Sequence, residues 1–206
     1  MIIIDGKAQT GKSTLGDHIA RKYDPNYKLV YTVEEILEYL HFLKDLWFSG
    51  RKEEIYNKWI FWDEPQLETP KQEYWSQRNQ IIQAFTSSFG FLHNHLVLAL
   101  PNVKGLSDMV LTNISLRFSV VSFLNKKKEI IRKAYVKMPM YNEMKRRFYW
   151  TTVEEHTIPE WLMTKEYYDA KANNFFNTQL NKWDVKLKYE PKIKVEVTDD
   201  GQVIYH

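Results

Sequence analysis

Residues Gly6-Lys7-Ala8-Gln9-Thr10-Gly11-Lys12-Ser13 match the phosphate-binding loop pattern G-x-x-x-x-G-K-[ST]. The chemistry lies in the residue types. Glycine at 6 and 11 lets the backbone turn its N–H groups toward phosphate oxygens, and a helix starting directly afterwards adds the positive end of its dipole. Lys12 then reaches the β- and γ-phosphates, and the Ser13 hydroxyl ligates Mg²⁺. The binding set expected around a nucleoside triphosphate is therefore Gly6, Lys7, Ala8, Gln9, Thr10, Gly11, Lys12, Ser13 and Thr14.

A second group completes the chemistry. Asp63-Glu64 closes the apolar run Trp59-Ile60-Phe61-Trp62, about 50 residues beyond the loop. At a strand end, Asp63 holds the Mg²⁺ shell while Glu64 orients or deprotonates the attacking water. Paired acids also occur on ordinary surfaces; the loop upstream gives this pair its catalytic reading. Asn102, just past Leu100-Pro101, is either a polar sensor of the γ-phosphate or a turn residue. Arg78, Arg117, Arg146 and Arg147 are all candidates for the arginine that stabilises the transition state, and the sequence does not choose among them. His93 and His95 stand two apart, but no third metal ligand is evident, which favours structural roles.

The elements that must position these residues are legible in outline. Ile2-Ile3-Ile4 reads as a buried strand and residues 14–23 as the helix after the loop. Asp24-Pro25-Asn26-Tyr27 is a turn and residues 28–31 a short strand. Thr32 caps a helix running to about Phe48, with Glu35 three residues on as its capping-box partner and Ile36, Leu37, Leu40 and Leu43 at helical spacing. The acid-bearing strand follows, then a helix over about 73–85 and a strand over 96–100. Continuous apolar strands alternating with helices predict a parallel sheet covered on both faces. Beyond residue 110, residues 117–124 and 129–138 read as a hairpin and 145–153 as another strand. Residues 159–180 read as a helix, and 192–205 as a hairpin turning at Asp199-Asp200-Gly201.

At 206 residues, with 44% hydrophobic and 27% charged residues, the chain is sized for one α/β core and is too apolar for a disordered protein. No run approaches the ~20 apolar residues of a membrane span. Met1 leads straight into the loop strand, so no signal peptide is expected. The absence of cysteine excludes disulfides and thiolate metal sites, and a cytoplasmic location is expected. The net charge of +3 is unevenly spread: residues 101–150 carry 11 Lys/Arg against 3 Asp/Glu, including Lys126-Lys127-Lys128, Arg132-Lys133 and Lys145-Arg146-Arg147. Such a block is either a solvated face or a contact for a phosphate backbone. Aromatics within it, among them Tyr135, Tyr141, Phe148, Tyr149 and Trp150, either pack or stack on bases.

The loop together with Trp62-Asp63-Glu64 resembles the additional-strand (ASCE) P-loop ATPases, in which a catalytic Glu follows the metal-binding Asp. More narrowly, the chain is similar to small ATPases encoded by archaea and their viruses and plasmids, related to the FtsK–HerA DNA-pumping group. The stretches that carry the likeness are the loop, Trp62-Asp63-Glu64 with Ser76 and Asn79, Phe89-Gly90-Phe91-Leu92-His93-Asn94 leading to Leu100-Pro101, and Leu106 with Asp108. It spans about residues 1–155, loosely 167–176, and not the last 25. Relatives usually carry arginines where Leu92, His93 and Thr112 stand here, and a Gln near the place of Asn102. The resemblance implies an α/β P-loop NTPase fold with a mostly parallel sheet flanked by helices, to which the residue pattern adds a C-terminal helix and β-hairpin extension. The expected organisation is a P-loop ATPase core over 1–124 with a basic hairpin, helix and C-terminal hairpin extension over 125–206 packed on it. The implied activity is ATP hydrolysis with Mg²⁺, using Glu64, Lys12 and Asn102 as catalytic residues and Ser13 and Asp63 as metal ligands. The implied assembly is a homo-oligomer, with a hexameric ring as one form, gripping DNA through the basic segment 126–147 in a translocation or packaging motor. For a viral or plasmid protein the location would be the host cytoplasm. Two other classes stay open: a nucleoside or nucleotide kinase with Lys145-Arg146-Arg147 as a lid, and a nucleotide-dependent switch docking through its C-terminal hairpin.

Overall fold

Ile2–Asp5 form β1, and its uninterrupted apolar run reflects burial on both faces. The computed structural model describes residues 1–63, 80, 84, 92–103, 106, 108–145, 147–159, 165–174, 176, 195–197 and 203–205. Six further strands join β1 in one sheet: β2 (Lys28–Val30), β3 (Trp59–Asp63), β4 (His95–Leu100), β5 (Leu116–Leu124), β6 (Ile130–Asn142) and β7 (Arg147–Thr157). Their order is β2-β3-β4-β1-β5-β6-β7. The first five run parallel, while β6 and β7 continue the sheet antiparallel. The expected mostly parallel sheet flanked by helices is present.

Register sets the carboxyl ends of the central strands level. Asp5 lies beside Leu100 on one side and Ser119 on the other, and Asp63 lies beside Ala99. Alternate residues then face opposite layers. Ile3, Val30, Ile60, Trp62, Leu96, Leu98 and Leu100 join Ile36 of α2 (Val33–Phe48) and Val110 of the short helix α3 (Asp108–Thr112) in one core. On the other face lie Ile4, Phe61 and Ala99, all buried, where α1 (Lys12–Tyr23) packs against β1, β3 and β4. Gly16 makes that approach possible. A Cβ there would sit 2.4 Å from two ring carbons of Phe61.

Helix α2 starts as expected. The Thr32 hydroxyl accepts from Glu35 N–H at 3.1 Å, and the Glu35 carboxylate accepts in return from the N–H groups of Thr32 and Tyr31. The β5–β6 hairpin extends further than expected, its second strand running to Asn142. At its turn the Asn125 side chain accepts from the N–H groups of Lys127 and Glu129, which holds three exposed lysines, 126 to 128, at the tip. Along β6–β7 the register shifts between Val136 and Lys137.

The chain divides into two units, Met1–Met163 and Thr164–His206. The second contains α4 (Lys165–Asn174) and an antiparallel pair, β8 (Val195–Val197) with β9 (Val203–Tyr205). That pair is the hairpin read from the alternating residues; its Asp-Asp-Gly turn lies outside the described residues. Within the helix expected over 159–180, α4 covers Lys165–Asn174, and residues 160–164 lie outside the described residues. Ile158 N–H donates to the Arg132 carbonyl at 2.9 Å, which ties the chain to the sheet just before that span. The helix expected over 73–85 lies outside the described residues except at 80 and 84, which are helical. No helix among the described residues is long and apolar enough to cross a membrane.

Candidate nucleotide-binding site

The loop springs from the carboxyl edge of the sheet, between its neighbours β4 and β5. Gly6 N–H donates to the Leu100 carbonyl at 3.2 Å, while a Cβ on Gly6 would meet the Val120 carbonyl oxygen at 2.2 Å. Only glycine fits that gap. The loop then closes on itself, with the Thr10 hydroxyl donating to the Lys7 carbonyl at 2.9 Å and the Lys12 ammonium donating to the same oxygen at 2.7 Å. Lys12 is 4% exposed, so its long side chain is folded over the loop rather than extended into solvent. Gln9 and Gly11 both have positive φ, 61° and 95°. Gly11 caps α1 without a side chain, and no acidic residue occupies the helix's first turn to compete with a bound anion.

Across 50 positions of sequence, the Ser13 hydroxyl donates to Asp63 Oδ1 at 2.8 Å. Asp63 is fully buried at the end of β3. The two motifs recognised separately in sequence thus meet in one place. A hydroxyl and a carboxylate are hard oxygen donors, and Mg²⁺ is commonly held by one or two protein oxygens together with substrate phosphates. The donor set fits that ion. Nearby, burial and then the negative charge of Asp63 push the Tyr31 phenol well above its ordinary range. Beneath α1, Asp17 accepts from Arg21 at 2.9 Å and from the Tyr27 hydroxyl, a buried polar anchor for the helix that carries Lys12 and Ser13.

The remaining expected residues fall out unequally. Asn102 stands exposed just beyond β4, at the same edge as the loop. Glu64, Ser76, Asn79, Arg78, Arg146 and residues 89–91 lie outside the described residues, and Arg147 opens β7. Arg117 is committed elsewhere. Its guanidinium donates to both carboxylate oxygens of Asp5, at 2.8 and 3.0 Å, which makes it a structural partner of β1. His95 opens β4 at the opposite edge of the sheet and stacks on Trp59 with ring centroids 4.4 Å apart, in agreement with a structural role. Among the described residues no group of three His, Cys, Asp or Glu is placed to hold a metal ion.

One residue beside the loop had no individual signal in the sequence. Arg132, on β6, brings its Cδ within 3.1 Å of the point where a Cβ on Gly11 would lie, and Ile158 Cγ2 is 4.0 Å from that point. In the sequence Arg132 was one basic residue among eleven in its segment. Only the pairing of β6 to β5, and of β5 to β1, carries it to the loop.

The strand, glycine turn and helix, on this sheet and with this serine–aspartate meeting, are those of a P-loop nucleotide-binding fold. Neither a protein-family model nor a curated protein matches the chain. Among solved structures, it is similar to flagellar accessory protein FlaH from Methanocaldococcus jannaschii, over 77% of this chain and 88% of that one, at 15% identity and TM-score 0.38. It is also similar to the N-terminal domain of zonular occludens toxin from Neisseria meningitidis, over 82% and 96%, at 12% identity and TM-score 0.40. Both likenesses are distant.

Proposed function

We propose that this chain is an ATP-hydrolysing enzyme of the additional-strand P-loop class that works as a homo-oligomeric motor on DNA. The observation that carries the reading is the hydrogen bond between Ser13 and Asp63 beside a buried Lys12. The strand order supports the class. β4 is intercalated between the loop strand β1 and the acid strand β3, an additional strand of the kind the class is named for.

In this reading the loop N–H groups and Lys12 bind and orient the triphosphate. Ser13 and Asp63 would hold Mg²⁺, which supplies charge neutralisation on the β- and γ-phosphate oxygens. Glu64, one residue beyond the buried Asp63, takes the role of positioning and deprotonating water in line with the γ-phosphorus. Asn102 serves as the polar sensor from the neighbouring strand end. Catalysis of this type is mostly positioning and electrostatic stabilisation. The DNA half of the proposal rests on the hairpin tip at Lys126-Lys127-Lys128, exposed on a long ribbon in a segment of strong positive charge.

The test is to measure ATP turnover and particle mass with and without single- and double-stranded DNA. The motor reading expects slow basal turnover, stimulation by DNA and assembly beyond a monomer. Lys12→Ala is expected to abolish nucleotide binding, and Glu64→Gln to keep binding while losing turnover by at least about 100-fold, the scale of removing a catalytic base. Turnover indifferent to DNA from a persistent monomer would remove the motor, and a phosphorylated nucleoside product would replace it with a kinase.

A further inference from the structure

We propose that Arg132 is a phosphate-contacting residue of the nucleotide site, supplied by the same chain as the loop and acting on the side of the loop opposite Asp63. The inference rests on the nucleotide-binding reading above and adds a residue that no motif identifies. The sheet order places β3 two strands from β1 on one side and β6 two strands from β1 on the other. Neighbouring strands are ~4.8 Å apart, so the Asp63 and Arg132 backbones each stand roughly 10 Å from the loop strand, within reach of a long side chain. Asp63 covers that distance by meeting Ser13. The Arg132 side chain covers it by running past Gly11, with Cδ and Nε 3.1 and 3.9 Å from the Cβ position there.

Gly11 is a telling neighbour. Its φ of 95° turns the loop into α1, and this backbone must pass close to the phosphates it binds. A side chain that lies against the same glycine therefore borders the phosphate space. The Arg132 backbone is anchored on both sides, paired with Ser122 of β5 and accepting from Ile158 N–H through its carbonyl. Arginine is suited to the task because its guanidinium is always charged and presents a planar fork to phosphate oxygens.

Ser13 and Asp63 mark the metal end of the triphosphate, which is its β,γ end. Arg132 approaches from the other side and so serves the phosphates nearer the nucleoside. That assignment separates it from a transition-state arginine. A residue contacting those phosphates binds ADP and ATP alike, whereas a γ-phosphate arginine acts on turnover.

The experiment measures ADP and ATP affinity by isothermal titration, and ATP turnover, for the full chain and for Arg132→Ala, Arg132→Gln, Lys133→Ala and Lys12→Ala, each first checked by thermal melting. Lys133 is the control, a neighbouring cation on β6 that pairs with Glu155. The expected result is a loss of about 10- to 100-fold in affinity for both nucleotides in the two Arg132 variants, the scale of charged hydrogen bonds, with Lys133→Ala unchanged. Wild-type affinity for both nucleotides in folded Arg132 variants, with Lys12→Ala binding neither, would overturn this assignment and leave the nucleotide site standing. A fall in turnover with both affinities intact would also overturn it, in favour of a transition-state role. No nucleotide binding by the unaltered chain would end both readings.

Discussion

Asp5, the residue immediately before the loop, is held more tightly than its place in the motif requires. It accepts two N–H groups from Arg117 and the Ser119 hydroxyl at 3.1 Å, all from β5. Both charges are largely buried, so removing one leaves the other desolvated without its partner. Arg117→Ala is expected to destabilise the fold by about 3 kcal/mol, read from urea denaturation, and Asp5→Asn in the same chain should recover part of that loss. A wild-type midpoint in Arg117→Ala would show that the pair contributes nothing. At this scale the loop residues were legible because their types are dictated by phosphate chemistry at short spacing. The role of Arg117 was not. Its partner lies 112 positions away, and a local reading sees only one more arginine.

Among the elements, α1 shows how closely a helix must approach the sheet to bring Lys12 and Ser13 over the strand ends. Gly16 lies against the Phe61 ring, on the strand that ends in Asp63. Alanine would gain about 1 kcal/mol in helix propensity, while a Cβ at 2.4 Å from the ring forces an overpacking cost of about 1–3 kcal/mol. Gly16→Ala is therefore expected to lower the melting temperature, and adding Phe61→Leu should restore part of it. A rise in melting temperature for Gly16→Ala alone would refute the close packing. The capping box of α2 and the apolar strands were readable in advance because their signals are local. The length of β6 was not, because its outer half gains its pairing from β7 rather than from its own composition.

For the molecule as a whole, the sheet separates a chemical edge from a structural one. The loop, Asp63 and Asn102 gather at the carboxyl ends, while Tyr23, Trp59 and His95 form a stacked trio at the amino ends of β3 and β4, the length of β4 or about 17 Å away. Burial, then the positive amino terminus and His93, hold the His95 imidazole below its ordinary value. In the unfolded chain this histidine protonates near pH 6.5, above its folded value, so the unfolded state binds more protons as pH falls. Stability is thus full above about pH 6.5 and declines below it. Chemical denaturation from pH 7.5 to 5 should show this slope, and His95→Phe should flatten it. An unchanged slope in His95→Phe would assign the acid sensitivity to other groups.

The sequence alone determined that a phosphate loop opens this chain, that acids close an apolar strand and that the core is α/β, because hydrogen-bonding geometry, dipoles and hydrophobic period act over a few residues. The meeting of Ser13 with Asp63 followed from their shared Mg²⁺ chemistry, but the pairings of Asp5 with Arg117 and of Gly11 with Arg132 depend on strand order and were left undecided. Those contacts arise when residues far apart in sequence are set a few ångströms apart by neighbouring strands. No local spacing encodes that proximity; the sheet creates it.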